Sequence, residues 1–104
     1  MRLLPAYLTA LRSGQYKQNT GCLRFEDTFC ALGVALDIYD PTGWREPDDE
    51  TQNPWHIGEE LMVLREDFGL SDDLTGRIIT LNDEKYLTFP EIADFIEGAL
   101  ECES

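Results

Sequence analysis

The chain has 104 residues, 42% of them hydrophobic, and carries 21 acidic against 8 basic side chains for a formal net charge of -13. That length makes residues 1–104 one domain with a modest core, and that hydrophobic content excludes wholesale disorder. The charge excludes nucleic acid and anionic membranes as direct partners, because both are repelled, and favours basic proteins.

The first predicted helix covers residues 3–12, where Leu3, Leu4, Tyr7, Leu8 and Leu11 recur at helical spacing. Pro5 suits its first turn and Gly14 its stop. Residues 15–25 read as a small β-hairpin. Tyr16 to Gln18 and Cys22 to Phe25 flank Asn19-Thr20-Gly21, a turn-rich triplet.

The segment 27–39 follows, the longest nearly uncharged run. It exceeds a usual strand and is apolar on every side, so it is expected to be a central buried helix over 29–39, capped by Asp27 or Thr28. Gly33 and its neighbouring alanines should allow another element to approach closely.

Residues 40–53 have loop composition: Pro41, Gly43, Pro47, and the acids Glu46, Asp48, Asp49 and Glu50. Trp44 stands out there. It either folds back over the core or serves as a partner-facing anchor. Trp55, in the approach to the next helix, poses the same choice.

Residues 58–68 read as a helix with Leu61, Met62, Leu64 and Phe68 on it, stopped by Gly69. Ser71 caps another helix, with Asp72 and Asp73 in its positive first turn and Leu74, Ile78 and Leu81 on one stripe. Thr88 and Glu91 form a capping box, and Leu87 and Ile92 a hydrophobic staple, for a last helix through Ile96 and Leu100. Residues 101–104 are expected to fray.

Three constellations bear on chemistry. Residues 80–91 overlay a calcium loop, with oxygens at Thr80, Asn82, Glu84, Thr88 and Glu91. Threonine replaces the acidic first ligand and Lys85 the turn glycine, which favours a metal-free helix–loop–helix of that shape. Cys22, Cys30 and Cys102 are odd in number and lack a Cys-x-x-Cys pair, against a disulfide framework or zinc. The one histidine, His56, leaves Cys22–His56 and Cys30–His56 as the available nucleophile–base pairs, and an apolar Cys30 is a small hydrophobe instead. No cofactor motif is found, and no catalytic site is expected.

The acidic side chains are the remaining candidate. Residues 1–39 hold four bases and three acids, a net +1, whereas residues 40–104 hold four bases and 18 acids, a net -14. Glu46, Asp48, Asp49, Glu50, Glu59, Glu60, Glu66, Asp67, Asp72, Asp73, Asp83 and Glu84, with Trp44, are the expected partner-binding residues. A band of such carboxylates resembles a nucleic-acid backbone to a protein that grips phosphates. The competing reading is a solvated face that serves solubility alone.

The stretch Leu11-Arg12-Ser13-Gly14-Gln15-Tyr16-Lys17-Gln18, with Gly21, Leu23-Arg24, Phe29-Cys30 and Leu32-Gly33-Val34-Ala35, resembles a family of small uncharacterised proteins of bacteriophages and bacterial genomes. Leu81-Asn82-Asp83-Glu84 and Glu91-Ile92-Ala93-Asp94-Phe95-Ile96 resemble its C-terminal part. The resemblance implies a phage-type protein. A start interrupted by Pro5, with no signal-peptide pattern, and no run long enough to span a membrane place it, as an expectation, in the host cytoplasm. By analogy with small acidic phage proteins, the resemblance also implies an inhibitor of a basic host or defence protein. The expected architecture is α+β and mainly α. Four to five helices surround the helix over 29–39, with one hairpin near 15–25 and an EF-hand-like helix–loop–helix at the end.

Overall fold

The computed structural model describes residues 3–45, 57 and 59–103, with side chains to residue 100. Among the described residues there are five helices and one small sheet: α1 (Leu4–Ser13), β1 (Lys17–Gln18), β2 (Arg24–Phe25), β3 (Thr28–Phe29), α2 (Ala31–Tyr39), α3 (Glu60–Glu66), α4 (Asp72–Asp83) and α5 (Phe89–Glu103). The fold is α+β and mainly α, as the sequence implies.

Helix α2 lies at the centre. Every residue from Ala31 to Leu36 is buried, and α2 packs on α1, α3, α4 and β3. Helix α5 closes the molecule from the other side by packing on α1 and α4, with Ile92, Ala93 and Ile96 fully buried. Among the described residues, nineteen buried apolar side chains form one cluster, in which Tyr7 and Phe68 meet edge to face with ring centroids 5.5 Å apart. The Tyr7 hydroxyl donates to the Ala31 carbonyl at 2.7 Å, so its polar tip is satisfied inside the core.

The central helix begins later than the sequence suggests. Thr28 and Phe29 are strand, and the cap is Cys30, whose Sγ accepts from the Gly33 N–H at 3.4 Å. The sheet also corrects the expected hairpin. Its order is β1-β3-β2: β3 pairs antiparallel with β2 and parallel with β1, so the strands flanking Asn19-Thr20-Gly21 do not pair with each other. The hairpin is β2–β3, turned by Glu26-Asp27, with Glu26 left-handed at φ 55°.

The reason lies in where the triplet is held. The Asn19 N–H donates to the Phe29 carbonyl at 2.8 Å, the Asn19 carbonyl accepts from the Asn82 amide, and the Gly21 N–H donates to Asp83 Oδ1 at 3.1 Å. The triplet is therefore docked on the end of α4, and the chain returns on the far side of β3.

Helix α3 is shorter than the expected 58–68, although Gly69 stops its exit at φ 70°. Its inward residues are Val63 and Leu64, while Leu61 and Met62 are exposed. Ser71 caps α4 as expected, its hydroxyl accepting from the Leu74 N–H at 3.1 Å. The capping box of α5 also forms. Glu91 Oε1 accepts from the Thr88 N–H at 3.0 Å, and the Thr88 hydroxyl accepts from the Glu91 N–H at 3.4 Å. Helix α5 then runs on through Glu103, past the point where fraying was expected.

Candidate interaction surface

The expected partner-binding residues divide by location. Glu46, Asp48, Asp49 and Glu50 lie outside the described residues, as do Trp55 and His56, and with His56 both nucleophile–base pairings. The remaining acids sit on α3, α4 and their ends. Glu59, Glu66, Asp72, Asp73 and Glu84 are exposed, and Glu60, Asp67 and Asp83 are half-buried.

Local structure explains several of these positions. Asp72 and Asp73 occupy the first turn of α4, where the unpaired N–H groups favour negative charge. Glu59 precedes α3 in a left-handed conformation, φ 51°, and Glu60 Oε1 accepts from the Ile57 N–H at 3.4 Å. Asp83 faces inward, taking the Gly21 N–H and the Asn82 amide.

Two arginines stand among these acids. The Arg65 Nη2 lies 2.9 Å from Asp72 Oδ1, and the Arg77 Nε lies 3.1 Å from Asp73 Oδ2. Both pairs are exposed, so each holds weakly and is open to competition. Even so, residues 59–84 keep eight acids against two bases, while residues 3–45 hold four of each. Helix α5 adds Glu91, Asp94 and Glu97, which the sequence reading left out. Arg12 of α1 bridges the last two at 2.7 and 3.0 Å.

Trp44 is held against the core. Its indole N–H donates to Asp37 Oδ1 at 3.0 Å, and its ring meets Phe29 edge to face. The Arg24 guanidinium lies over both rings, 5.3 Å from Phe29 and 5.5 Å from Trp44. The other Asp37 oxygen accepts from the Tyr16 hydroxyl at 2.7 Å. Partial burial, then this hydrogen bond, pushes the Tyr16 phenol up to about 12. Of the two sequence readings of Trp44, this geometry matches the one that folds it back over the core.

The expected twelve-residue loop over 80–91 is a five-residue connection, 84–88. Thr80 and Asn82 are inside α4. The Thr80 hydroxyl donates to the Gly76 carbonyl, Glu91 is engaged by Thr88, and the left-handed residue is Tyr86 rather than Lys85.

Asn82 is the residue that sequence reading undervalued most. It is 1% exposed and uses its full hydrogen-bonding capacity. Oδ1 accepts from the Ala31 N–H at 3.2 Å and from Gln18 Nε2 at 2.8 Å. Nδ2 donates to the Asn19 carbonyl at 2.8 Å and to Asp83 Oδ1 at 2.7 Å. One side chain thus ties β1, the docked triplet, the start of α2 and the end of α4. The signal available in the sequence was an asparagine four residues after Ile78, on the inward stripe.

Cys22 and Cys30 border one shallow pocket beside Asp83. Burial pushes the Cys30 thiol up to about 11, and burial followed by Asp83 raises that of Cys22. Both are held protonated at neutral pH, the opposite of an activated nucleophile.

A groove of about 460 Å³ runs between α4 and α5. Asp72, Asp73, Gly76, Arg77, Thr80 and Leu81 of α4 line it with Phe95 of α5. Among the described residues no helix is long and apolar enough to cross a membrane, and no cluster of His, Cys, Asp and Glu could hold a metal ion.

A family model described as a domain of unknown function, DUF8296, matches residues 2–68, which run from α1 through α3. No curated protein and no solved structure matches the chain. The match takes in the residues between 11 and 35 that carry the resemblance to phage and bacterial proteins, and extends beyond them to residue 68. With well over half of its length matched, the chain belongs to the DUF8296 family.

Proposed function

We propose that this is a non-catalytic binding protein whose acidic surface occupies a basic site on another protein. The observation that carries this reading is the uneven charge. Residues 59–84 hold eight acids against two bases on a body whose α1–α2 half is balanced. Such a surface steers cationic partners toward it and rejects acidic ones. The partner surface most complementary to a run of carboxylates is one built to grip phosphates. A nucleic-acid-binding protein of a host or its defence systems, inhibited by imitation of DNA, fits that chemistry. A phage-type origin and action in the host cytoplasm belong to this proposal.

A second reading is favoured by Arg65 and Arg77. They stand between the acids and lower the local field. On that reading the protein is structural or accessory, and its acidity keeps it soluble.

Affinity capture from bacterial lysate separates the two. The wild type is compared with a variant carrying Glu59→Gln, Glu66→Gln, Asp72→Asn, Asp73→Asn and Glu84→Gln. The binding reading expects basic proteins retained by the wild type alone. Equal retention by both forms supports the solubility reading.

A further inference from the structure

We propose that the groove between α4 and α5 seats an amphipathic basic helix of the partner, with its apolar face on Leu81 and Phe95 and its cations at Asp72 and Asp73. The inference rests on the acidic-surface reading and adds the shape of what that surface receives.

Asp73, Gly76, Arg77 and Thr80 fall at the spacing of one helical stripe, and all four line the groove with Asp72, Leu81 and Phe95. Leu81 and Phe95 pack on the core with one side and remain half-exposed on the other. They offer apolar surface that the chain's own described elements leave uncovered. At Gly76 a Cβ would meet nothing within 4 Å, so there is room beside the backbone. Two helices joined by a short connection, with a trough between them, are the receiving half of helix-in-groove recognition.

Charge selects the occupant. A second copy of this chain would bring the same aspartates and a formal charge of -13 against the rim, which opposes self-association. A helix with lysine or arginine beside its apolar stripe gains at that rim. Arg65 and Arg77 already touch Asp72 and Asp73, but with side chains 58% and 64% exposed they hold weakly enough for an incoming cation to compete.

The probes are two labelled peptides of leucine and lysine, each about four turns long when helical. Both have one composition. In the first the leucines form a single helical stripe, and in the second they are scattered. Binding is read by fluorescence anisotropy with the full chain at about 50 mM salt, where exposed charges act over more than about 10 Å.

The groove predicts roughly tenfold tighter binding of the striped peptide than of the scattered one. Gly76→Trp should remove that advantage without weakening the scattered peptide. Gly76→Glu gives an independent check: it adds an acid, which tightens binding if charge alone matters, yet it fills the trough and should weaken the striped peptide. Asp72→Asn with Asp73→Asn should weaken both peptides. Equal binding of the two peptides, indifferent to Gly76→Trp and tightened by Gly76→Glu, overturns the groove and leaves the acidic-surface reading standing. Failure of the wild type to bind either peptide overturns both.

Discussion

The carbonyl of Leu23 rests against the α-carbon of Gly33, so closely that any β-carbon at position 33 would overlap that oxygen. The same carbonyl accepts the Cys30 N–H at 3.2 Å. The strand-bearing segment and the central helix are thus joined backbone to backbone. Gly33→Ala forces a backbone to move rather than a flexible side-chain end. We expect it to cost about 3 kcal/mol or more of unfolding free energy. Urea denaturation followed by circular dichroism measures this, and a loss under about 1 kcal/mol would show that the two segments separate easily.

Asn82 should be comparably sensitive. Asn82→Ala strands the buried Ala31 N–H and deprives the Asn19 carbonyl of its amide donor. Leaving buried polar groups unpaired costs more than the bonds themselves contribute, and the expected loss is about 3 kcal/mol. Asn82→Asp keeps the shape but has no donor for Asn19, and it places a second carboxylate beside Asp83. It should not rescue the loss in the same urea titration.

The α5 cap makes a prediction about acid. Thr88→Ala should destabilise by about 1 kcal/mol. The Thr88 N–H, and then its hydroxyl, hold the Glu91 carboxyl below its ordinary value. A lowered folded pKa means stability that is present above the unfolded value of about 4.5 and is lost as pH falls through the folded one. Glu91→Gln should therefore flatten part of the acid limb of melting temperature against pH. An acid limb unchanged in this variant would mean that the carboxylate plays no part in the cap.

At the alkaline end the sign reverses. Burial raises Cys30 from 9.0 to about 11 and Tyr16 from 10.0 to about 12, and it raises the fully buried Tyr7 as well. Each binds its proton more tightly folded than unfolded. Their contribution is intact below pH 9 and declines as pH rises through 11 and 12. Tyr16→Phe should shift the alkaline loss of stability upward in pH. Stability that stays level to pH 12 would contradict the packing described for all three.

Local chemistry made much of this fold readable. Pro5 and Gly14 mark α1, Ser71 starts α4, and the Thr88–Glu91 box starts α5, because each acts within its own few residues: proline removes a first-turn N–H, glycine takes the left-handed turn at the exit, and the caps satisfy helix-end groups. The unbroken apolar run gave the buried helix. What escaped depends on distant partners. Asn19-Thr20-Gly21 carries a hairpin's composition, but Asn82 and Asp83, more than sixty positions away, hold it elsewhere. The calcium-loop overlay failed for a related reason, since Asn82 spends its oxygen on Ala31 and Gln18. In the interaction surface, the acids of α3 and α4 were legible from counting. Asp73 and Arg77 are an i, i+4 pair within α4, but the Arg65–Asp72 pair and the groove beside Asp72 required separate helices to be placed side by side.

The most direct measurement is the salt dependence of the complex with whichever basic protein is captured, taken from about 50 to 300 mM salt for wild type and for the five-residue amide variant. Docking through residues 59–84 predicts a wild-type dissociation constant that rises steeply with salt, and a shallower rise from a weaker start in the variant. A wild-type affinity indifferent to salt, or identical curves for the two forms, would contradict the account.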